Sequence, residues 1–129
     1  MIYVTDTHTL FWHLTQSQKL GRNACATFSA AEANQVTIII PTIVLAELLF
    51  IFEKNKAENE FQAVLAKLKN STNFVIQELN FDIVTQISQL RKISEMHDRI
   101  ITATALYLGA KVLTKDQEIK DSGYIETVW

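Results

Sequence analysis

The sequence predicts an α/β domain with a mainly parallel central sheet and helices on both faces. Short β-branched or apolar runs alternate with longer segments of helical spacing along the chain. Strands that alternate with helices are joined by crossover connections, which make the strands parallel. The chain has 129 residues, 48% of them hydrophobic, which suits one core of ordinary size. Residues 1–129 are therefore expected to form a single domain.

Five runs are predicted as strands because their residues are mostly apolar or β-branched. In chain order they are Ile2–Val4, Val36–Ile40, Phe74–Ile76, Lys111–Leu113 and Tyr124–Val128. Good helix formers at helical spacing predict the helices Thr42–Lys54, Glu58–Asn70, Asp82–Lys92 and Asp98–Leu108. Pro41 ends the second strand and opens the helix after it. Gly109 stands where a helix ending at Leu108 favours glycine.

The segment Thr42–Phe52 has apolar side chains around its whole circumference, and Glu47 is its one charged residue. A helix of this kind is buried on all sides. One small domain offers too little surface for that, so the sequence predicts a second chain over this helix and over Phe11 and Trp12. A charged fraction of only 20% agrees with an apolar surface kept for a partner.

Composition also bears on the compartment and the partners. Twelve Lys and Arg against fourteen Asp and Glu give a net charge of −2, so any nucleic-acid contact has to be local. Cys25 is the only cysteine, which excludes an internal disulfide and favours a reducing cytosol. We interpret it as a small buried residue of a helix. No signal-peptide pattern and no apolar run of about 20 residues is present, so we expect a cytoplasmic protein without a membrane segment.

Carboxylates follow the predicted strands. Asp6 comes after the first strand, and Glu47 lies in the helix after the second. Asp98 opens the helix before the fourth strand, which Thr114 and Asp116 follow. Ligands of parallel sheets bind beyond the carboxyl ends of the strands, so we expect these residues to converge. The repulsion among four acids is removed by a divalent cation, and oxygen ligands suit Mg²⁺ or Mn²⁺. The pattern thus indicates metal-assisted phosphodiester hydrolysis.

Each acid also has an ordinary structural interpretation. Asp6 and Asp98 could each cap a helix, and Asp116 could be a turn residue before a short helix. Glu47 is harder to explain in this way, because a buried glutamate needs a partner, and a cation is the favoured one.

The histidines and the remaining basic residues give weaker indications. His8 and His13 are five residues apart, which is not the four-residue spacing of a helical metal pair. His97 is interpreted as a surface residue at a helix entry, with the alternative that it orients Asp98 or contacts substrate. Candidates for phosphate contacts are Arg99, Lys115, Lys54, Lys56, Lys67 and Lys69, and the last four are usually solvated helix faces.

Four stretches together carry a resemblance to a known family. They are Tyr3–Trp12, Ala46–Leu48, His97–Ala105 and Leu113–Asp116. The chain resembles the PIN-domain ribonucleases, and within them the VapC-type toxins of bacterial toxin–antitoxin pairs. The likeness covers nearly the whole chain and implies a PIN-like three-layer α/β/α fold.

The resemblance implies a role for each matching residue. Asp6, Glu47, Asp98 and Asp116 match the acids that coordinate Mg²⁺ or Mn²⁺ in that family, and Thr114 matches the hydroxyl residue that supports them. It implies a homodimeric endoribonuclease that cuts RNA to a 5′-phosphate and a 3′-hydroxyl. It also implies a cognate antitoxin whose C-terminal arm enters a groove near the active site, to which we assign Phe11, Trp12 and the apolar helix. Glu95 departs from relatives that often carry proline nearby, and this added acid is expected to alter substrate approach.

Two other functions compete with this hypothesis. A receiver-like signalling module would need paired acids after the first strand, an aspartate after the third and a lysine after the last, and none of these is evident. A PIN-like scaffold would use the same acids only to hold a structural metal. A nuclease activity that a chelator abolishes while the fold survives would argue against the scaffold.

Overall fold

The computed structural model describes all 129 residues, as five strands and seven helices. The strands are β1 (Ile2–Thr5), β2 (Thr37–Pro41), β3 (Phe74–Gln77), β4 (Lys111–Leu113) and β5 (Thr127–Val128). The helices are α1 (Thr7–Leu14), α2 (Arg22–Glu32), α3 (Thr42–Lys54), α4 (Glu58–Lys69), α5 (Phe81–Ile87), α6 (Met96–Leu108) and α7 (Gln117–Ser122). No helix has the length and hydropathy needed to cross a membrane.

The five strands form one sheet in the order β3-β2-β1-β4-β5, and every pairing is parallel. Right-handed crossovers place the connections from β1 to β3 on one face and those from β3 to β5 on the other. The packing agrees, because α3 contacts α1 and α4, whereas α5 contacts α6. The predicted α/β class with a mainly parallel sheet is confirmed. A receiver-like module would have the strand order 2-1-3-4-5, so this alternative is wrong.

The switch point of the sheet lies between β1 and β4, which are neighbours in the sheet but not in the chain. From β1 the chain moves outward to β2 and β3, and it then crosses back to place β4 on the other side of β1. The connections that leave β1 and β4 therefore diverge onto opposite faces. A crevice opens where they part, beyond the carboxyl ends of these two strands. This crevice is where a ligand of such a sheet is expected to bind.

The main core comprises eighteen buried residues from both sides of the sheet. Ile38, Ile39 and Ile40 of β2 are all buried, as expected for a strand covered on both faces. A smaller cluster of Ile83, Leu90 and Ala103 joins α5 to α6. The sheet that supports the crevice is thus fixed by apolar burial, which is the main stabilising term in a domain of this size.

Several predicted boundaries differ from the structure. The helix predicted over Asp82–Lys92 ends at Ile87, because hydrogen bonds between residues three apart replace helical ones beyond it. The strand predicted from Tyr124 pairs only at Thr127 and Val128, since the Tyr124 amide bonds the Ser122 hydroxyl in a turn. Gly109 ends α6 in the left-handed region, at φ 64°, as predicted.

Two predictions about burial are changed by the structure. Cys25 is exposed, so its interpretation as a buried residue is wrong. The inward face of α2 carries Ala24, Phe28 and Ala31, and Cys25 points away from that face. In α3 only Val44, Leu48 and Phe52 are buried within the chain, whereas Phe50 is 70% exposed. A second chain over α3 stays a prediction.

The C-terminal residue Trp129 packs closely against Gly21, the N-cap of α2. A β-carbon at Gly21 would lie 2.7 Å from the backbone carbonyl carbon and from ring carbons of Trp129. Because part of this contact is backbone, rotation of the indole alone does not relieve it. Glycine is therefore required here by close approach, and its φ of −63° needs no glycine.

We expect Gly21→Ala to lower the free energy of unfolding by about 1–3 kcal/mol, the usual effect of overpacking. Urea unfolding followed by circular dichroism measures the change. Asn23→Ala, at an exposed position of the same helix, is the control and should change stability by less than about 0.5 kcal/mol. Equal stability of the two variants would contradict the close packing of Trp129.

Candidate functional site

The crevice at the carboxyl ends of β1 and β4 is an open cavity of about 650 Å³. Eleven of its thirteen lining residues are polar, and five of these are carboxylates. These are Asp6, Glu47, Glu95, Asp98 and Asp116. The structure thus brings together all four acids singled out in the sequence and adds Glu95. Elements far apart in the chain supply them, so the parallel topology is what makes the cluster.

Asp6 is held by both of its carboxylate oxygens. It is the N-cap of α1, and its Oδ1 accepts a hydrogen bond of 2.9 Å from the Thr9 amide. Its Oδ2 accepts a bond of 2.5 Å from the hydroxyl of Thr114, which is 2% exposed. The Thr114 Oγ1 in turn accepts from the Asp116 amide at 3.0 Å. Thr114 therefore couples the chain after β1 to the chain after β4.

Asp116 and Glu47 are fixed in similar ways. Asp116 is the N-cap of α7, and its Oδ1 accepts from the Ile119 amide at 2.8 Å. Glu47 is half-buried, and its Oε1 accepts from the Thr7 hydroxyl at 2.7 Å. Thr7 was not predicted as a site residue, although it directly follows Asp6. It gives Glu47 a partner, so the helix that carries Glu47 does not leave a buried charge unpaired.

Glu95 caps α6, which begins at Met96 and not at Asp98 as predicted. Glu95 Oε2 accepts from the Asp98 amide at 2.9 Å, so the interpretation of Asp98 as the cap is wrong. Glu95 Oε1 lies 2.6 Å from His97 Nδ1, and Glu47 Oε2 lies 3.8 Å from the same atom. The hydrogen bond to Glu95 raises the pKa of His97, against partial burial and with help from the charge of Glu47. His97 lines the pocket and contacts two acids, so it is more than a surface residue at a helix entry.

Asp98 is the acid without a donor. Desolvation, and after it the charges of neighbouring acids, together raise the pKa of Asp98 to about 7. These acids, in order of effect, are Asp116, Glu95, Asp6 and Glu47. No protein group donates a hydrogen bond to its side chain, so nothing opposes these effects. The electrostatic strain of the cluster is concentrated on this residue.

The other predicted residues divide between the pocket and its surroundings. Lys115 lines the pocket, and its Nζ lies 4.8 Å from the ring centroid of Trp12. Arg99 does not line it, because its Nε donates to the Ile93 carbonyl at 2.5 Å. Lys54, Lys67 and Lys69 lie on helices and Lys56 lies in the turn between α3 and α4, and none of the four lines the pocket.

The two adjacent aromatic residues of α1, Phe11 and Trp12, have different surroundings in the structure. Phe11 packs edge-on against Phe52, whereas Trp12 lines the acidic pocket. His8 also lines the pocket. His13 stacks on Phe28 at 4.1 Å outside it, and burial lowers the pKa of His13 against the charge of Glu32. The sequence assigns Trp12 to a groove near the active site and Glu95 to the approach of the substrate, and in the structure both line the acidic pocket itself.

The donor set is the kind that hard divalent cations prefer. All five acids offer carboxylate oxygens, and the residues that could hold Mg²⁺ or Mn²⁺ are Asp6, Glu47, Asp98 and Asp116. The structure contains no group of three or more His, Cys, Asp or Glu side chains arranged to coordinate one ion. Mg²⁺ keeps several waters and needs only one or two protein carboxylates, so the donor chemistry fits even though the ligands are not closely assembled.

The family model of the PIN domain matches residues 3–123. The chain belongs to the PIN domain family. The resemblance found in the sequence is thereby confirmed at the level of the family. No curated protein matches the chain significantly.

Solved structures with the same fold include complexes of toxin–antitoxin systems. VapBC2 from Rickettsia felis, bound to a DNA fragment from its promoter, has 21% identity and a TM-score of 0.76 over 99% of this chain and 98% of that one. DNA-bound VapBC from Salmonella typhimurium has 18% identity and a TM-score of 0.76 over 99% and 97%. VapC20 from Mycobacterium tuberculosis, a toxin that cleaves the sarcin–ricin loop, has 17% identity and a TM-score of 0.67 over 98% of both chains. At these identities the likeness shows the PIN fold alone.

We expect Asp98→Asn to stabilise this PIN domain at pH 8 in EDTA by about 1–2 kcal/mol. A folded pKa of about 7 lies above the unfolded value of 3.8, so ionised Asp98 destabilises the fold, and this penalty grows as the pH rises from about 4 to 7. The gain is set well below the full value of the shift because the carboxylate is only half-buried. Urea unfolding at pH 8 and pH 5 measures it.

At pH 5 the gain should fall to less than half, because most of the penalty has not yet developed there. Asp82→Asn, an exposed acid outside the pocket, is the matched control and should show no gain at either pH. A gain of the same size at both values of pH would show that Asp98 is not strained by its ionisation.

Proposed function

We propose that this PIN domain is a metal-dependent endoribonuclease, the toxin of a toxin–antitoxin pair, which hydrolyses RNA phosphodiester bonds. The observation that carries the proposal is the convergence of Asp6, Glu47, Asp98 and Asp116 on one open pocket at the switch point of the sheet. Membership in the PIN family and the cleavage of RNA by the similar VapC20 support it. A reducing cytoplasm, where RNA is found, is the compartment that we propose.

Mg²⁺ or Mn²⁺, held by one or two of these four acids and by water, would supply activation of the attacking water and charge stabilisation of the leaving oxygen. The residues of the chain prepare the site for this chemistry. Thr114 and Thr7 hold the carboxylates of Asp6 and Glu47 in fixed orientations. Water attacks the phosphorus in line, the bond from phosphorus to the 3′ oxygen breaks, and the products are a 5′-phosphate and a 3′-hydroxyl. The Lys115 ammonium is the one Lys or Arg charge in the pocket that can contact a phosphate.

The partners that we propose are a cognate antitoxin and a second copy of this chain. Similar structures are VapBC complexes, which supports an antitoxin. The exposed side chains of Phe50 and Phe81, at 70% and 79%, support an apolar interface with another chain. Neither aromatic ring belongs to the main core of the chain.

We expect the purified protein to cleave structured RNA in Mg²⁺ or Mn²⁺ and to lose this activity in EDTA. Asp6→Asn and Asp98→Asn should lower the rate by at least about a hundredfold, since each removes a charged ligand. Asparagine is preferred to alanine at position 6 because it keeps an oxygen that can cap α1. Gel analysis of RNA products gives the rates, and the ends of the fragments test the 5′-phosphate.

Asp82→Asn is again the matched control and should cleave like the unaltered chain. Cleavage that persists in both pocket variants would assign the activity to a contaminant. Absence of cleavage in every metal, in a folded protein, would favour the PIN-like scaffold.

Thr114→Val should weaken Mn²⁺ binding by about tenfold to a hundredfold, the usual effect of losing a group that orients a metal ligand. Valine keeps the shape of threonine but cannot donate to Asp6 or accept from the Asp116 amide. Thr114→Ser keeps the hydroxyl and should bind Mn²⁺ nearly as well as the unaltered chain. Calorimetric titration with Mn²⁺ gives the affinities. Similar affinities for the valine and serine variants would show that Thr114 does not position Asp6.

A further inference from the structure

The acidic pocket has a single accessible apolar wall. Trp12 and Ile101 are the apolar residues that line it. Ile101 is 1% exposed and offers almost no surface, whereas Trp12 is only half-buried. The indole of Trp12 is therefore the one apolar surface in the pocket that a ligand can reach.

The indole is held in place from several sides. The edge of its ring meets Trp129 at a centroid distance of 5.8 Å, and Trp129 itself is packed against Gly21. The His8 ring lies 5.7 Å away at an angle of 48°. Lys115 Nζ lies over the ring at 4.8 Å, a geometry typical of a cation–π contact. A large aromatic surface is thus fixed beside the carboxylates, with a cation at its face.

We propose that Trp12 is a base-binding platform: an unstacked nucleobase next to the scissile phosphate stacks on its indole, and Lys115 contacts the adjoining phosphate. Single-stranded and loop RNA is recognised in this way, by stacking of splayed bases on aromatic side chains. The inference rests on the proposed function and adds to it a residue that selects the substrate.

The charge of the pocket favours a base over other occupants. Five carboxylates oppose a phosphate backbone, and Lys115 is the only Lys or Arg among the lining residues. Stacking of a neutral base is not opposed by this charge, so it can supply affinity where phosphate contacts are few. A peptide cation seeking the same ring would meet the like charge of Lys115.

The test uses a fluorescein-labelled RNA hexanucleotide and six versions of it, each with one abasic position. Dissociation constants are measured by anisotropy with Ca²⁺ in place of Mg²⁺, and gels verify that the RNA stays intact. With the unaltered chain we expect one abasic position to weaken binding by about tenfold, the usual effect of losing one stacked base. Trp12→Leu should weaken binding of the intact RNA by a similar factor, and the same abasic position should then have no further effect.

Two more variants complete the comparison. Trp12→Phe keeps an aromatic face and should retain most of the effect of that abasic position. Tyr107→Leu removes an exposed aromatic ring outside the pocket and should behave like the unaltered chain. The platform is wrong if Trp12→Leu weakens binding of all seven oligonucleotides by the same factor. If no oligonucleotide binds the unaltered chain, the proposed RNA substrate fails together with the platform.

A second measurement needs no variant and covers the case in which Trp12→Leu does not fold. A base stacked on an indole quenches its fluorescence, and the chain contains only two tryptophans. The intact RNA should quench the unaltered protein, and the version abasic at the coupled position should not. Equal quenching by all seven oligonucleotides would overturn the proposal.

Discussion

Repulsion among five carboxylates is the constraint on which the rest of this site depends. The parallel sheet brings these acids together at its switch point, and the core of β1, β2 and β4 holds that arrangement. Four of the five are stabilised by donors: Asp6, Glu47, Glu95 and Asp116 each accept at least one hydrogen bond. Asp98 accepts none, and its pKa is raised first by desolvation and then by repulsion from the other acids, which no donor compensates. A cation that binds at this site would therefore stabilise it by relieving the repulsion.

The N-termini of three helices stabilise the negative charge of this site. Asp6, Glu95 and Asp116 are the N-caps of α1, α6 and α7, where unpaired amides and the positive end of the helix dipole favour negative charge. The interpretation of Asp6 and Asp116 as structural residues and their interpretation as site residues are therefore compatible. One oxygen of Asp116 caps a helix while the other accepts no hydrogen bond, so one carboxylate can stabilise the fold and still offer an oxygen to a ligand.

Much of this arrangement could be predicted from the sequence, because strand ends and the acids beside them are local features. Asp6 follows β1 directly and Asp116 follows β4 closely, so a parallel sheet was enough to expect them together. The sequence predicts the start of α6 at Asp98, because spacing alone shows Glu95 only as an added acid near the substrate. Its capping bond to the Asp98 amide depends on backbone geometry that spacing does not show.

Other features depend on which face a residue presents. Helix α2 buries Ala24, Phe28 and Ala31, two of them alanines, so its apolar stripe is weak and its exposed Cys25 was assigned to the wrong side. Phe11 and Trp12 are adjacent in sequence but about 100° apart around α1. One therefore packs on Phe52 while the other reaches the pocket. Composition does not distinguish the two rings, whereas tertiary packing places one on the core side of α1 and the other at the pocket.

The net charge of −2 can now be understood through its distribution. A nucleic-acid enzyme with this composition has no overall attraction for phosphate, and the pocket itself is more negative than the rest of the chain. Under the proposed function, a bound divalent cation would offset part of this negative charge, so phosphate contacts would depend on the metal. Affinity that does not depend on the metal has to come from uncharged contacts, and the indole beside the carboxylates is the one large surface that can provide them. The acidic composition therefore favours recognition of the shape and exposed bases of RNA over recognition of its charge.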